Sequence, residues 1–410
     1  MNDLQTELNG VLQFAKAIEQ ARGIMLTAPW YAFSPNPEQE LAAAEKQLKH
    51  QIAAALDEGF VVHDPLHPEF RVMNQHNQYG LYNPDNKYFA ATIASDGIYI
   101  IRGKKGTSAS LEIQVGAGNP GYNENLTSPI TVDQIDGEKL NLRSDDTFEL
   151  YISREKPEGA ENWLKNYKDD FEANSVLIRE SFMDWDKEKG GTWYIERVDT
   201  VGRPNANLTP TLLNDQYARA SKYLINATKG WVKFVDRLRA NLASDYLSQP
   251  RPTQDGSGLP GQWNAAGFFV MGPDDAIMIT VSKSKAKYQS IQIGDFWFNA
   301  LDFCQRQTSL TAAQAQLNAN NEYRFVISAK DPGVTNWLDS CGTQNVFVFM
   351  RWQGLPEGEE PSTIHAKKAT LSELRECLSD EPFFGPKKRK AQLAARKQSA
   401  LTKPRGFRNI

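Results

Sequence analysis

The residues with most chemical potential lie in one stretch, Gly294 to Leu310, which reads GDFWFNALDFCQRQTSL. In an extended chain Asp295, Trp297 and Asn299 share one face, and Phe296 and Phe298 share the other. The phenylalanine face suits a core. That leaves an acid, an indole and an amide to form a wall for a polar ligand, the indole stacking on a ring while Asp and Asn bind hydroxyls. Asp302 and Arg306 stand four apart and pair if this part turns helical. Together with Arg351, which ends a later apolar strand, they offer an alternative: a lyase or hydrolase site with Asp302 as base and Arg306 or Arg351 as anion clamp. The simpler reading is an edge strand and a loop with a local ion pair.

Other constellations are weaker. His63, His67 and Glu69 alternate in HDPLHPEF, a donor set that zinc or iron accepts, but Pro65 and Pro68 make the segment a strap and the spacing suits tetrahedral geometry poorly. Asp184 and Asp186 flank Trp185 in a polar stretch that reads first as a turn. There is no phosphate-binding glycine loop, zincin motif or nucleophile elbow, and Gly116-Ala117-Gly118 lacks the strand-to-helix setting of a dinucleotide site. No cofactor and no metal is expected.

These residues need a scaffold, and periodicity supplies one. Leu4, Leu8, Leu12, Ala15, Ile18 and Ala21 form one amphipathic helix; Leu41, Ala44, Leu48, Ile52 and Leu56 form a second, with Gly59 at its expected C-terminal cap. From Phe60 the texture turns to β, with short strands over 88–94, 97–102, 110–115, 148–153, 175–182 and 192–198. A long helix is expected over 211–246, with a Pro- and Gly-rich linker behind it over 249–258. A second β block runs from about Trp263 to Trp352, before a short helix near 371–378 and a basic tail.

The two β blocks share a pattern. Phe148–Ser153 (FELYIS) leads to Gly159 and Asn162-Trp163-Leu164, while Tyr323–Ser328 (YRFVIS) leads to Gly333 and Asn336-Trp337-Leu338. Each is followed by an apolar strand ending in arginine, Arg179 or Arg351, and SLEIQ at 110–114 matches SIQI at 290–293. The order of matches reads as one sandwich module used twice. Asn-Trp-Leu is expected to form a corner in each copy, with the tryptophan as a stacking platform the alternative. Arg179 and Arg351 can take a ligand anion or pair with a neighbouring acid.

Composition bounds the partners. The 410 residues carry 46 Lys+Arg and 50 Asp+Glu, and no apolar run is long enough to span a membrane. Nine of the basic residues fall between Lys387 and Ile410 with no acid among them, which leaves a body of 37 basic and 50 acidic residues. This tail either seeks nucleic acid or an anionic membrane, or packs Leu393, Ala394 and Leu401 on the body while its charges meet the acidic surface. Three cysteines without metal spacing, and a start (MNDLQTELNG) unlike a signal peptide, set a cytoplasmic expectation.

Several strings resemble a bacterial family known as domain of unknown function 1214. They are Asn83-Pro84-Asp85 with YIIRG at 99–103, GDFWF at 294–298, RQTSL at 306–310 and DPGVTNWLD at 331–339, within a likeness over about Asn83 to Trp352. The resemblance implies jelly-roll-like β-sandwich modules with helical additions and a carbohydrate-like or other small ligand; it supplies no catalytic residue. The expected fold is mainly β: helices over 1–60, a sandwich over 61–205, a central helix and linker over 206–262, a second sandwich over 263–360, and C-terminal helices with a basic tail over 361–410. The expected function is binding of a hydroxylated or carboxylated small molecule near Asp295–Arg306. Catalysis and polyanion or membrane association are the alternatives, and a homo-oligomer is left open.

Overall fold

Alternating apolar residues build two β-sandwiches in the computed structural model, which describes residues 9–30, 34–118, 121, 129–253, 259 and 261–402. The first uses β1 (Arg71–Met73), β2 (Asn86–Thr92), β3 (Tyr99–Lys104), β4 (Ser110–Ala117), β5 (Ile130–Asp136), β6 (Thr147–Ser153) and β7 (Asn162–Lys165). A small hairpin, β8 (Tyr167–Lys168) and β9 (Phe171–Glu172), precedes β10 (Ser175–Ser181) and β11 (Thr192–Arg197). The second uses β12 (Tyr246–Leu247), β13 (Arg251–Pro252), β14 (Trp263–Val270), β15 (Asp275–Ser282) and β16 (Tyr288–Asp295). It is completed by β17 (Ser309–Thr311), β18 (Glu322–Ser328), β19 (Trp337–Asp339), β20 (Asn345–Gln353) and β21 (His365–Thr370).

Sheet β1-β2-β10-β4-β5 faces β11-β3-β6-β7, and sheet β12-β14-β20-β16-β17 faces β19-β18-β15-β21. Strands β2-β10-β4-β5 and β14-β20-β16-β17 follow the same order, and each opposing sheet contains one parallel pair, β6 with β7 and β18 with β19. Ile101, Ile113 and Ile178 lie in the first core, and Ile291, Ile293 and Trp352 in the second, all fully buried. The 206–262 segment is not merely helix and linker, because β12 and β13 both pair with β14. The second sandwich also reaches past 360, since β21 pairs with β15.

The matched Asn-Trp-Leu segments are not corners: Asn162–Leu164 lies in β7 and Trp337-Leu338 in β19, each paired in parallel with the preceding long strand, and they make matched bonds. Asn162 Nδ2 donates to the carbonyls of Asn141 (3.1 Å) and Glu149 (3.0 Å) while its Oδ1 accepts the Asn141 amide. Asn336 Nδ2 donates to the carbonyls of Gln316 (2.7 Å) and Arg324 (3.3 Å), and its Oδ1 accepts the Gln316 amide. Both indoles hydrogen-bond within their own sandwich, Trp163 to Ser153 Oγ and Trp337 to the Ser328 carbonyl. Trp337 is buried in a cluster with Val326 and Leu374, while Trp163 is only part-buried.

Helices α1 (Gly10–Leu26), α2 (Pro37–Phe60) and α3 (Pro210–Asn241) form a layer over the outer sheet faces. Leu4 and Leu8 of the first expected helix lie outside the described residues. Asn36 and Thr209 cap α2 and α3 by accepting the amides of Gln39 and Leu212, each followed by proline at the first turn. Gly59 is not a cap. It lies within α2, where a Cβ would stand 2.6 Å from the Gln216 carbonyl of α3, so it permits close helix packing.

A short helix α4 (Leu371–Cys377) leads to α5 (Pro386–Thr402), which carries the basic tail. Its buried residues are Arg389, Arg396, Ser399 and Ala400; Ala394 and Leu401 are exposed, contrary to the packing face expected from its aliphatic residues. Arg389 holds Asp331 (2.9 Å) over the Trp337 ring of the second sandwich. Arg396 donates to the carbonyls of Phe303 (2.8 Å), Arg306 (3.0 Å) and Ser309 (3.0 Å) and lies over Trp185 of the first. Lys387, Lys388, Lys390 and Lys397 face outward, and Lys403, Arg405 and Arg408 lie outside the described residues.

Polar contacts join the sandwiches. Fully buried Asp85 accepts hydrogen bonds from the Tyr288 hydroxyl (2.7 Å) and the Trp185 indole (3.1 Å), and Asn83 also binds the Tyr288 hydroxyl (2.8 Å). Burial pushes the Asp85 carboxyl up to about 6, against the pull of Tyr288.

Candidate ligand-binding cleft

The expected wall at Asp295–Asn299 is not open to solvent. β16 ends at Asp295, and the chain turns with Phe298 in the left-handed region at φ 61°. The Asp295 carboxylate ties the turn, accepting the amides of Trp297 (2.9 Å) and Asn299 (3.0 Å) and the Asn299 side chain (2.8 Å). Asn299 Nδ2 also donates to the Ala43 carbonyl of α2. Trp297 packs on Trp30 with ring centroids 5.1 Å apart, and Phe298 stacks on Phe347 at 4.5 Å. Two-residue alternation fails here because the chain is no longer extended, and all five side chains enter the helix-covered core.

Asp302, Arg306 and Arg351 have separate partners. Arg306 pairs with Asp339 (2.9 Å) instead of Asp302, whose carboxylate accepts the Gln305 amide. Arg351 is buried on β20, donates to Gln292 Oε1 (2.8 Å) and lies over the Phe349 ring. Asp184 is bound to Lys187, and Asp186 accepts from Ser399 of α5. His63 lies beside Gln216. Among the described residues no group of three His, Cys, Asp or Glu side chains could hold a metal.

The matched arginine of the first sandwich has a different setting. On the outer face of its sheet, register sets Tyr88, Arg179 and Glu112 in one row, Ala90, Leu177 and Gln114 in the next, and Thr92, Ser175 and Gly116 in a third. Ala90, Thr92 and Ser175 are small, so this face is hollow. Counting back from Arg351, the second sandwich has Phe349 opposite Ala266 and Phe347 opposite Phe268. There three phenyl rings and the Phe296–Phe298 turn fill the corresponding space.

The hollow is a cleft of about 190 Å³. Its roof comes from the end of α2 (Glu58), the Tyr79–Tyr82 segment and α3, whose Tyr223 and Trp231 stand eight residues apart on one helical face. Aromatic contacts knit that roof, with Tyr79 5.3 Å from Trp231 and 6.1 Å from Tyr223 between ring centroids. Gly80, at φ 68°, lets this segment approach, since a Cβ would stand 2.2 Å from the Trp231 ring. Glu58 and Arg71 form a buried ion pair (2.8 Å) at one end.

Arg179 also lines the cleft, half-buried, its guanidinium over the Tyr88 ring at 5.5 Å. It forms no hydrogen bond or ion pair with any described residue. Glu112 lies opposite in register, its carboxyl pushed up to about 8 by burial and then nearby Asp136, against the pull of Arg179. Arg179 was visible in the sequence as the end of a matched strand. Glu58, Arg71, Tyr79, Tyr223 and Trp231 were not, because they come from separate elements; the one signal was the run of small residues alternating along β2 and β10.

No protein family and no curated protein matches the chain. Among solved structures, an uncharacterized protein from Burkholderia cenocepacia is similar at 22% identity and a TM-score of 0.77, covering 89% of this chain and 98% of its own. That likeness shows the fold, mainly β with helices. A protein from Vibrio parahaemolyticus matches at 12% identity and a TM-score of 0.43, covering 79% of this chain and 98% of its own. No helix among the described residues is long and apolar enough to cross a membrane.

Proposed function

We propose that this chain binds a small organic acid, a single ring carrying a carboxylate, in the cleft of its first sandwich. One observation carries the reading: Arg179 is a half-buried cation without a hydrogen-bonding partner among the described residues, in the wall of an aromatic-roofed hollow. A guanidinium at such a site favours a planar carboxylate that accepts two hydrogen bonds. Size agrees, because a cavity of about 150 Å³ takes one benzene ring, and this one holds about 190 Å³. Tyrosine and tryptophan walls suit either an aromatic ring or the apolar face of a sugar acid.

The ligand class is thus the hydroxylated or carboxylated one expected from sequence, at a different place. Isothermal titration with aromatic carboxylates, uronates and their uncharged counterparts tests it. Acids should bind at least tenfold tighter than neutral analogues, and Arg179→Leu should remove that preference. Equal binding of acid and neutral analogue, or acid binding indifferent to Arg179→Leu, would refute the proposal.

A further inference from the structure

We infer that acid binding in the cleft is linked to the proton on Glu112, because ligand and Glu112 compete for one guanidinium, that of Arg179. This rests on the cleft reading above and adds its regulation. Register fixes the neighbours. On the outer face of the first sheet Tyr88, Arg179, Glu112 and Asp136 follow one another across β2, β10, β4 and β5. Directly opposite residues of antiparallel strands hold their Cβ atoms about 4.5–5.5 Å apart, so the Arg179 side chain reaches toward Glu112 as well as into the cleft that it lines.

Glu112 is a buried acid among unequal neighbours. Asp136 of β5 repels its charge, while Arg179 of β10 and Lys139, just after β5, attract it. From the second sandwich, Gln353 of β20 brings an uncharged amide, whose Nε2 donates to Glu112 Oε1 at 3.5 Å. Arg351 of β20 is a further cation that faces Arg179. Burial outweighs both attracting cations, so the Glu112 carboxyl is pushed up to about 8. Glu112 does not line the cleft. It acts through Arg179 and is a positioning residue.

The linkage has a definite sign. With Glu112 protonated, the ligand supplies the only carboxylate charge in the Arg179 position of the row. With Glu112 ionised, a second carboxylate one strand away draws the guanidinium toward itself and repels the incoming acid. Binding then requires Glu112 to take one proton from solvent. Reciprocally, a bound acid makes that proton harder to remove. Affinity therefore falls as pH rises through the Glu112 titration, by up to about tenfold per pH unit for one linked proton.

The test is isothermal titration of benzoate and of cyclohexanecarboxylate into the full chain at pH 6.5, 8 and 9.5. For an acid that binds, the wild-type Kd should rise at least about fivefold across the range. At pH 8 the heat should depend on the ionisation enthalpy of the buffer, HEPES against Tris, as proton uptake requires. Glu112→Gln, which cannot ionise, should hold Kd within about twofold across the range. Asp136→Asn removes the repulsion and should bring the weakening in at lower pH. A flat wild-type profile, heats at pH 8 indifferent to buffer, or a Glu112→Gln profile as steep as wild type overturns the linkage and leaves the carboxylate cleft standing. If neither acid binds at any pH, or Arg179→Leu binds them at pH 6.5 as wild type does, the cleft reading falls and takes this one with it. Should Glu112→Gln fail to fold, Asp136→Asn decides, an unshifted profile overturning the linkage.

Discussion

Replacing Arg396 with methionine tests whether the basic helix is part of the folded body. The side chain is buried, and its nitrogens serve the carbonyls of Phe303, Arg306 and Ser309 and the Ser309 hydroxyl (2.8 Å), all in the segment after the Asp295 turn. Methionine keeps much of the volume above Trp185 and supplies no donor. Removing one member of a buried charged set costs about 3–5 kcal/mol, because the acceptors left behind are desolvated. Urea unfolding at pH 7, followed by tryptophan fluorescence, should show a loss of that order for Arg396→Met, while exposed Lys397→Met stays within about 0.5 kcal/mol of wild type. The deficit should also grow with pH. Asp85 sits near 6 partly because Arg396 favours its charged form, so the variant raises it further. An acid whose folded pKa lies above its unfolded value loses stability as pH rises through the folded value, so the deficit at pH 8 should exceed that at pH 5. A loss under about 1 kcal/mol at both pH values would refute the account of α5 as a staple.

Glu112→Gln should behave oppositely. Its folded value near 8 lies above the ordinary 4.5, so wild-type stability falls across that window, by up to about 1.4 kcal/mol per pH unit relative to the glutamine variant; urea midpoints at pH 5 and 8.5 that differ equally between the two proteins would contradict this. Trp297→Ala should cost about 3–5 kcal/mol as a core truncation and leave acid binding within twofold of wild type, measured by titration below the shifted melting point. A ligand-specific loss with little destabilisation would return the binding role to that tryptophan.

Much of the scaffold was legible from local pattern. Strands such as Phe148–Ser153 alternate cleanly, the repeated Asn-Trp-Leu segments fall in the matching strands β7 and β19, and the long central helix lies close to its expected bounds. What failed was non-local. Asp295–Asn299 keeps its polar–aromatic alternation through a turn, so periodicity could not show that Asp295 ties the backbone and Trp297 meets Trp30. The tail reads as a helix that packs Leu393, Ala394 and Leu401 on the body, but it is Arg389 and Arg396 that are buried, where carboxylates and carbonyls await them, partners that only the tertiary fold brings near. The cleft likewise joins Glu58, Tyr79, Tyr223 and Arg179 across more than a hundred residues.

The contrast between the two outer sheet faces has an evolutionary corollary. In the second sandwich Phe268 and Phe347 gain from burial what Thr92 and Ser175 forgo in the first. Selection for thermal robustness alone would enlarge those small side chains until the first face resembled the second. Variants such as Ser175→Phe or Thr92→Val are therefore candidate stabilisers that would also fill the proposed cleft.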